Sequence, residues 1–377
     1  MTQEQAFEAV KASSPLRIAQ VGPVATSIPP SGSSSVELFT SLLTEGLVAR
    51  GHRVTLFATG TSRTSAELHA TLARGYGEDL SAWPWELCEL LNLSAALERA
   101  SEFDVIHYQA MSWPISLLLT RLVSVPLVQT VHHAPSRDEI SLWARYPEAP
   151  FVAISHEQAS LLAGLNVIAT IPHGVDTDAF TFSGTPRDYL LFLGRFTEGK
   201  GVLQAIEVAR STSRRLILAA PENDYYRTAV APHVDGTQIT YAGEVGHAEK
   251  VALFGGAQAL LYPVQAGEPF GLVLAEAMAC GTPVAALDRG AVREIVEHGI
   301  TGGVFSSLDE LVAGLPAVIA LNRASVRARA VARFGLTRMI DAYEEMYARL
   351  VAGQRGSEVQ KWDRQRIDAA LTPGTGL

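Results

Sequence analysis

Short apolar segments alternate with segments of helical period along most of the chain. In the first half, strand patterns occur at LRIAQVG (16–22), HRVTLFAT, FDVIHYQ, VPLVQTVHH and PFVAISH. Helical patterns lie between some of them, such as VELFTSLLTEGLVARG (36–51) and a shorter one at about 113–121. This alternation is typical of a parallel sheet that helices cover on both faces, so the sequence predicts a doubly wound α/β fold.

A second cycle follows the segment IPHGVDTDAFTFSGTPRD (171–188), which is rich in Pro, Gly, Asp and Thr and has the character of a linker. The strand patterns of this cycle are YLLFLGR, RRLILAA, ITYAGEV, ALLYPV and PVAAL. We therefore predict two Rossmann-like parallel-sheet domains facing a cleft, at 1–172 and 173–336. A helix at 337–352 is expected to pack back on the first domain, and a tail at 353–377 to be flexible.

The composition indicates a protein with a large core and no nucleic-acid partner. The chain has 377 residues, 47% of them hydrophobic, and a net charge of −9 from 39 acidic and 30 basic residues. Nucleic-acid binding needs a basic patch, for which this balance gives no sign. The two cysteines, Cys88 and Cys280, form no metal-ligand spacing and fit a reducing compartment.

The sequence shows no targeting or membrane segment. The N-terminal MTQEQAFEAVKASSP lacks the basic and apolar regions of a signal peptide. The most apolar run, PISLLLTRLVSVPLVQTV, is interrupted by Arg121 and by proline, and it is too short to span a bilayer. We therefore expect a cytoplasmic protein without an integral membrane segment. The oligomeric state stays open.

The segment LFLGRFTEGKG places two cations directly after a predicted strand. Gly194 ends the strand, Arg195 follows it, and Lys200 precedes a helix. A guanidinium fork and an ammonium point charge suit a diphosphate. The competing interpretation is a pair of solvated surface charges.

The segment EPFGLVLAEAMACGTPVAA places two acids around a helix start. Phe270, Gly271 and Leu272 mark this start, where free backbone N–H groups and the helix dipole favour a phosphate. Glu268 precedes the helix and could accept from sugar hydroxyls, whereas Glu276 could accept from a vicinal diol such as ribose. The competing interpretation makes Glu268 a first-turn acid and Glu276 a solvated surface residue.

Histidines follow strands in the first half. QTVHHAPS puts His132 and His133 directly after a strand, where a histidine could hydrogen-bond a substrate hydroxyl or assist proton transfer. His107 follows the strand segment DVI and is a weaker candidate of the same kind. For each, a satisfied structural histidine is the alternative.

The loop IPPSGSSSVELF joins the first strand to the first helix. Gly32, Ser33, Ser34 and Ser35 could present N–H and hydroxyl groups to a phosphate or to an acceptor. A flexible serine-rich loop with a helix cap is the alternative.

Motifs for other nucleotide cofactors and for metals are missing. VGPVATS after the first strand is no GxGxxG, and the chain has no GxxxxGK[ST], which disfavours NAD and ATP. DTD (176–178) could be read as a metal-binding triplet, but it lies in the predicted linker. We expect no metal and no cofactor.

Together these motifs resemble the signature of the retaining glycosyltransferases of family 4, which have the GT-B fold. GRFTEGKG, EPFGLVLAEAMACGTPVAA and IPHGVDTDAF carry the resemblance, which spans roughly residues 16–351 and is looser in the first half. It implies a metal-independent hexosyltransferase that transfers a sugar from a nucleotide diphosphate sugar, most commonly a UDP-sugar. The acceptor would be a hydroxyl of a small molecule or glycan, bound on the side of the first domain.

The resemblance also implies roles for individual residues. Arg195 and Lys200 would bind the donor diphosphate next to Gly194, with help from the backbone N–H groups of Gly271 and Leu272. Glu276 would hold the ribose. Glu268 would contact the transferred sugar with Phe270 beside it, and His132 would contact that sugar from the opposite domain. Arg195, Lys200, Glu268 and His132 would thus be the catalytic set.

The chain departs from the family pattern at three places. Ser34 and Ser35 stand where relatives often have two glycines, His173 stands where an Asn is common, and PEND (221–224) replaces a basic residue of some relatives. We expect these changes to alter substrate choice.

Three alternative functions remain: a nucleotide-sugar epimerase, a phosphorylase of the same fold, and a nucleotide-sugar binding protein without catalysis.

Overall fold

The computed structural model describes residues 15–30, 32, 34–79, 81–110 and 116–356. The strands of the first sheet are β1 (Arg17–Val21), β2 (Arg53–Thr59), β3 (Glu67–Leu72), β4 (Val105–Ala110), β5 (Leu127–Val131), β6 (Phe151–Ala153) and β7 (Val167–Thr170). Those of the second are β8 (Leu190–Leu193), β9 (Leu216–Ala219), β10 (Ile239–Gly243), β11 (Leu260–Tyr262), β12 (Val284–Leu287) and β13 (Gly302–Phe305).

Helices connect the strands in both halves. In the first they are α1 (Ser35–Ala49), α2 (Trp85–Glu98), α3 (Ser116–Leu119), α4 (Arg137–Trp143) and α5 (His156–Leu161). In the second they are α6 (Val202–Ser211), α7 (His247–Gly256), α8 (Leu272–Ala279), α9 (Val292–Ile295), α10 (Leu308–Ile319) and α11 (Arg323–Phe334), and the long helix α12 (Leu336–Gly356) follows. A 3₁₀ turn, Glu198–Lys200, precedes α6.

Both sheets are parallel and share one strand order. The first runs β3-β2-β1-β4-β5-β6-β7 and the second β10-β9-β8-β11-β12-β13. The order reverses between β1 and β4 and between β8 and β11, and ligands of open α/β sheets bind outside the carboxyl ends of the strands at such points. The predicted pair of doubly wound domains is confirmed.

The continuous apolar runs become strands because helices cover both of their faces. β5 and β12 are buried along their whole length. In the second domain, α7, α8 and α11 pack on one face of the sheet, whereas α6 and α10 pack on the other. The strand ends therefore lie on a rigid scaffold.

The long helix α12 belongs to the core of the first domain. Met339, Tyr343 and Tyr347 are fully buried in one cluster with Ile18 and Phe39. At Gly46 on α1, a Cβ would overlap the side chain of Ile340, so glycine permits the close approach of the two helices. Ion pairs from Arg50 to Asp341 (2.6 Å) and Glu344 (2.9 Å) flank this contact.

Some of the structure was not predicted from the sequence. The elements without a counterpart among the predicted ones are β3, β7, β13, α2, α4, α5, α10 and α11. Of the helix expected at about 113–121, the structure shows α3, and residues 111–115 lie outside the described part. The expected tail also lies outside it, apart from residues 353–356 at the end of α12.

No single helix in the described ranges is long and apolar enough to cross a membrane. One pair of helices, α10 and α11, satisfies the length and composition test when taken together, with a bend of 103° between them.

A buried carboxyl group lies behind the loop that follows β1. Glu89 on α2 is 1% exposed, and its Oε1 accepts from the backbone N–H of Val24 at 3.0 Å and from the Tyr76 hydroxyl at 3.4 Å. Its Oε2 has no partner among the described residues. Burial raises the pKa of Glu89 to about 7, and the charge of Glu37 on α1 acts in the same direction.

We expect Glu89→Gln to become more stable than the wild type as the pH rises. Because the folded-state pKa of Glu89 is raised, its favourable contribution is complete below the unfolded pKa of about 4.5 and is lost as the pH rises through about 7. The full loss corresponds to about 3 kcal/mol of the free energy of unfolding. The Gln variant does not lose it, because an amide does not ionise. Thermal unfolding from pH 4.5 to 8.5 should show a difference in Tm that grows up to about pH 7. The exposed Glu86→Gln on the same helix is the control, and a pH-independent difference would contradict the assignment.

Candidate active site

Two loops of the second domain are joined by a backbone approach that only glycine allows. The backbone N–H of Gln265, after β11, donates to the carbonyl of Gly199, after β8, at 2.8 Å. Gly201 has φ +75°, and a Cβ there would overlap the carbonyl oxygen of Pro263. Lys200, between the two glycines, is therefore held against the β11 loop.

Lys200 and Glu268 form a largely buried ion pair at this junction. The Nζ of Lys200 lies 2.5 Å from Oε2 of Glu268, which is 8% exposed. The Tyr262 hydroxyl donates to the same oxygen, and burial with the nearby Glu268 charge raises the pKa of Tyr262 well above its usual range. No described residue donates to Oε1, which leaves that oxygen as an acceptor.

A third loop fixes the backbone of Glu268. The N–H of Ala291, after β12, donates to the Glu268 carbonyl at 2.8 Å. Gly290 has φ +61°, and a Cβ there would overlap backbone atoms of Glu268. The loops after β8, β11 and β12 thus determine where this carboxylate lies.

Helix α8 begins directly after Glu268 with an uncapped end. Gly271 has φ +90°, and no side chain accepts from the first backbone N–H groups of the helix, which begins at Leu272. Such an end with its dipole favours an anion. Phe270 is 2% exposed, and its ring contacts those of His173 (5.0 Å between centroids) and Phe334 (6.0 Å).

Glu276, one turn into α8, is also buried and paired. Its Oε1 lies 2.8 Å from the Nζ of Lys250 on α7, whose ammonium is 5.3 Å from the ring centroid of Phe180. Glu276 is 7% exposed. The interpretation of Glu276 as a solvated surface acid is therefore wrong, and Glu268 is likewise more than an exposed first-turn acid.

Arg195 differs from these residues because it is exposed. Its guanidinium has no hydrogen bond or ion pair within the described ranges. It follows Gly194, where a Cβ would have open space around it. Arg195 thus extends from the end of β8 as a cation available to an anionic ligand.

Of the three candidate histidines, His132 lies at the cleft. Its ring stacks on His173 in the linker, with 5.3 Å between centroids and an angle of 8°, and His173 contacts Phe270 in the loop before α8. The ring of Phe39 contacts both histidines, with centroid distances of 4.9 and 4.8 Å. Burial, with the nearby His173, lowers the pKa of His132 well below its usual range, and burial lowers that of His173 to about 3.

The other two histidines have structural partners. His107 is fully buried and hydrogen-bonds the hydroxyls of Tyr347 and Thr130, and burial lowers its pKa to about 3. The Nε2 of His133 lies 2.8 Å from Oε1 of Glu139, near the start of α4.

The serine-rich loop after β1 reaches towards the second domain. A Cβ on Gly32 would lie 3.6 Å from Oε1 of Glu244, in the loop after β10. Ser34 precedes α1 without a side-chain cap, and Ser35 is the first residue of that helix. Ser33 lies outside the described residues.

The sequence did not single out a contact that joins the two domains near this site. The carboxylate of Glu294 on α9 accepts from the backbone N–H groups of His156 (2.8 Å) and Glu157 (2.5 Å) at the start of α5. Glu294 lies four residues after Gly290. The only available signal was an acid in a short helix, which is common on surfaces.

No group of three or more His, Cys, Asp or Glu side chains that could hold a metal ion occurs in the described part of the chain. The predicted linker triplet has a local role, because Oδ1 of Asp176 accepts from the backbone N–H groups of Asp178 (3.1 Å) and Ala179 (3.4 Å).

Family models match both sides of the cleft. The model of the glycosyl transferases group 1 matches residues 178–333, and that of glycosyltransferase family 4 matches residues 36–179. The chain belongs to glycosyltransferase family 4. Its fold is the GT-B fold of glycosyltransferases of known structure.

Three relatives illustrate the match. The chain is 28% identical over 247 residues to phosphatidyl-myo-inositol mannosyltransferase of Mycobacterium leprae, which covers 53% of this chain and 66% of that protein. It is 27% identical over 335 residues to glycogen synthase of Mycobacterium tuberculosis, covering 74% and 79% of the two chains. It superimposes on AviGT4, a glycosyltransferase involved in avilamycin A biosynthesis, with TM-score 0.66 and 25% identity over 90% and 99% of the two chains.

We expect Glu294→Ala to weaken the contact between the domains of this family 4 protein. The change removes two charge-assisted hydrogen bonds beside the loop that fixes Glu268, so small-angle X-ray scattering should show a larger radius of gyration.

Glu310→Ala is the matched control for this experiment, because Glu310 accepts from the Ser306 N–H within one domain. If both variants had the radius of gyration of the wild type, Glu294 would not hold the domains together.

Proposed function

We propose that the protein is a retaining glycosyltransferase that moves a hexose from a UDP-sugar to an acceptor hydroxyl. The observation that carries this proposal is the buried Lys200–Glu268 pair beside the uncapped start of α8. It places a cation, free backbone N–H groups and a carboxylate with an unoccupied oxygen at one point of the cleft. Family membership supports the reaction class.

Charge on the leaving diphosphate would be stabilised by fixed positive groups. Lys200 is held in place, Arg195 extends from the end of β8 in the same loop, and the α8 dipole points its positive end at this region. Preorganised donors of this kind lower the barrier where charge develops. We propose that they take the role of a metal ion, so that transfer is metal-independent.

The two glutamates would act as hydrogen-bond acceptors. Lys200 and Tyr262 already occupy Oε2 of Glu268, which leaves Oε1 for a sugar hydroxyl. Lys250 occupies one oxygen of Glu276, and the other can accept from the ribose hydroxyls. Neither acid is needed as a nucleophile or as a base.

The transfer step needs no group beyond donor and acceptor. The bond from the anomeric carbon to the phosphate oxygen breaks, and the acceptor oxygen bonds to that carbon on the same face. The leaving phosphate oxygen takes the proton of the acceptor hydroxyl. Configuration at the anomeric carbon is thereby retained, and UDP leaves with the proton.

A donor screen with site variants tests this proposal. UDP-glucose, UDP-galactose, UDP-N-acetylglucosamine and GDP-mannose would each be incubated with and without acceptor pools, and nucleotide release and sugar transfer measured. Lys200→Ala and Arg195→Ala should each lower kcat/KM about a hundredfold or more, the usual effect of losing one charge-stabilising group. Arg215→Ala is the control. It removes an exposed cation just before the amino end of β9, away from the carboxyl ends of the strands, and should leave activity unchanged.

Several outcomes would contradict the proposal. If both Lys200→Ala and Arg195→Ala transferred sugar at the wild-type rate, these residues would not stabilise the charge of the leaving diphosphate. Nucleotide release without sugar transfer would favour hydrolysis or epimerisation, and binding without release would favour a non-catalytic role. Inversion at the anomeric carbon, read by NMR of the initial product, or loss of transfer in EDTA would exclude the proposed step.

A further inference from the structure

We propose that Gln109 is a positioning residue that holds His132 with its proton on Nε2, so that Nδ1 accepts a hydrogen bond from a hydroxyl of the donor sugar. The identity of the ligand rests on the proposed function. The position of the proton rests on a hydrogen-bond network in the core of the first domain.

The network begins at the long helix α12. The amide Nε2 of Gln20 on β1 donates to the Tyr347 hydroxyl at 2.9 Å, and that hydroxyl lies 2.6 Å from Nδ1 of His107 on β4. All three residues are fully buried, so none of these groups exchanges its partner for water. Each polar atom must therefore be matched inside the protein.

Gln109 has both of its N–H groups engaged in this network. Its Nε2 donates to Oε1 of Gln20 at 2.9 Å and lies 3.2 Å from Nδ1 of His107. A side-chain amide has two N–H donors, and its oxygen can only accept. Because Oε1 of Gln109 lies 3.1 Å from Nε2 of His132, that nitrogen must supply the proton.

The orientation of the Gln109 amide assigns the proton of His107 as well. Because the amide nitrogen of Gln109 donates to Nδ1 of His107, that nitrogen accepts, and the single proton is assigned to Nε2, which lies 2.8 Å from Oγ1 of Thr130. A neutral imidazole has one N–H and one acceptor nitrogen. Burial keeps His107 neutral, with a pKa of about 3.

The remaining nitrogen of His132 is available on the cleft side. Nδ1 has no hydrogen-bond partner among the described residues, and the ring is held by His173 on one face and by the edge of Phe39. Burial disfavours a second proton, because it lowers the pKa of His132. His132 therefore presents a neutral lone pair.

A neutral lone pair selects the chemistry of its ligand. It attracts an O–H donor and repels a phosphate oxygen, which is itself an acceptor. The stack from His132 through His173 to Phe270 places this acceptor opposite the loop that carries Glu268. The donor sugar is the part of a UDP-sugar that offers hydroxyl protons there, so His132 acts as an acceptor and not as a general acid.

Nitrogen-15 NMR of histidine-labelled protein reads the proton position directly. In the wild type, His132 should show the proton on Nε2. Gln109→Met conserves the approximate volume but removes the amide, so His132 should lose its fixed proton position and populate both neutral forms. Thr40→Val is the matched control, because it removes a fully buried hydroxyl of the same domain that donates to the Val36 carbonyl within α1 and has no part in this network.

Binding separates the sugar contact from a general loss of structure. Gln109→Met should weaken binding of UDP-glucose about five- to tenfold, the effect of one lost hydrogen bond, and should leave binding of UDP unchanged. Thr40→Val should change neither affinity. Both affinities would be measured by calorimetry on the full chain.

Specific results would overturn the inference. A wild-type His132 with its proton on Nδ1 overturns it whatever the activity, and it does so even if Gln109→Met does not fold. If the proton of His132 stays on Nε2 in Gln109→Met, Gln109 does not determine its position. If Gln109→Met weakens the binding of UDP-glucose and of UDP equally, His132 does not contact the sugar. Failure of all transfer, with the expected spectra, would contradict the proposed function and leave the proton position established.

Discussion

The close backbone approach at Gly201 is the constraint on which the site depends. A side chain there would overlap the Pro263 carbonyl, so only glycine lets the loop after β8 lie against the loop after β11. That approach brings the ammonium of Lys200 onto the carboxylate of Glu268. Because both groups are largely removed from water, each needs the other, and removing one partner would leave an uncompensated charge. The geometry of the charged site thus follows from backbone sterics.

Pairing with lysine determines what the two glutamates can do. Lys200 holds Glu268 and Lys250 holds Glu276, which leaves one oxygen of each acid without a partner among the described residues. A carboxylate oxygen without a protein partner can accept a hydrogen bond from a ligand hydroxyl. Positive charge for a leaving group comes instead from Lys200, from Arg195 and from the start of α8. The site is therefore built to orient hydroxyl groups around a fixed cationic centre.

The sequence predicted the strand-end positions of the charged residues because the strands are buried and their apolar runs are easily seen. Arg195 lies at the end of such a run, and Lys200 and Glu268 lie in the loops that follow two of them. The partners Tyr262 and Lys250 were not predicted, because a strand residue and a helix residue give no sign of which distant side chain they will meet. The edge strand β3 is largely exposed and α11 is rich in arginine, so neither has an apolar pattern that reveals it. His173 was noted as a departure, but its stacking on His132 depends on how the linker folds.

Contacts between the domains converge on the same loops that build the site. His173 in the linker lies between His132 of the first domain and Phe270 of the second, and Glu294 joins the segment after β12 to the start of α5. The loop after β12 also fixes the backbone of Glu268. A movement that separated the domains would therefore disturb the acceptor at His132 and the support of Glu268 together. The same contacts therefore hold the domains in their relative positions and keep the residues of the proposed site in place.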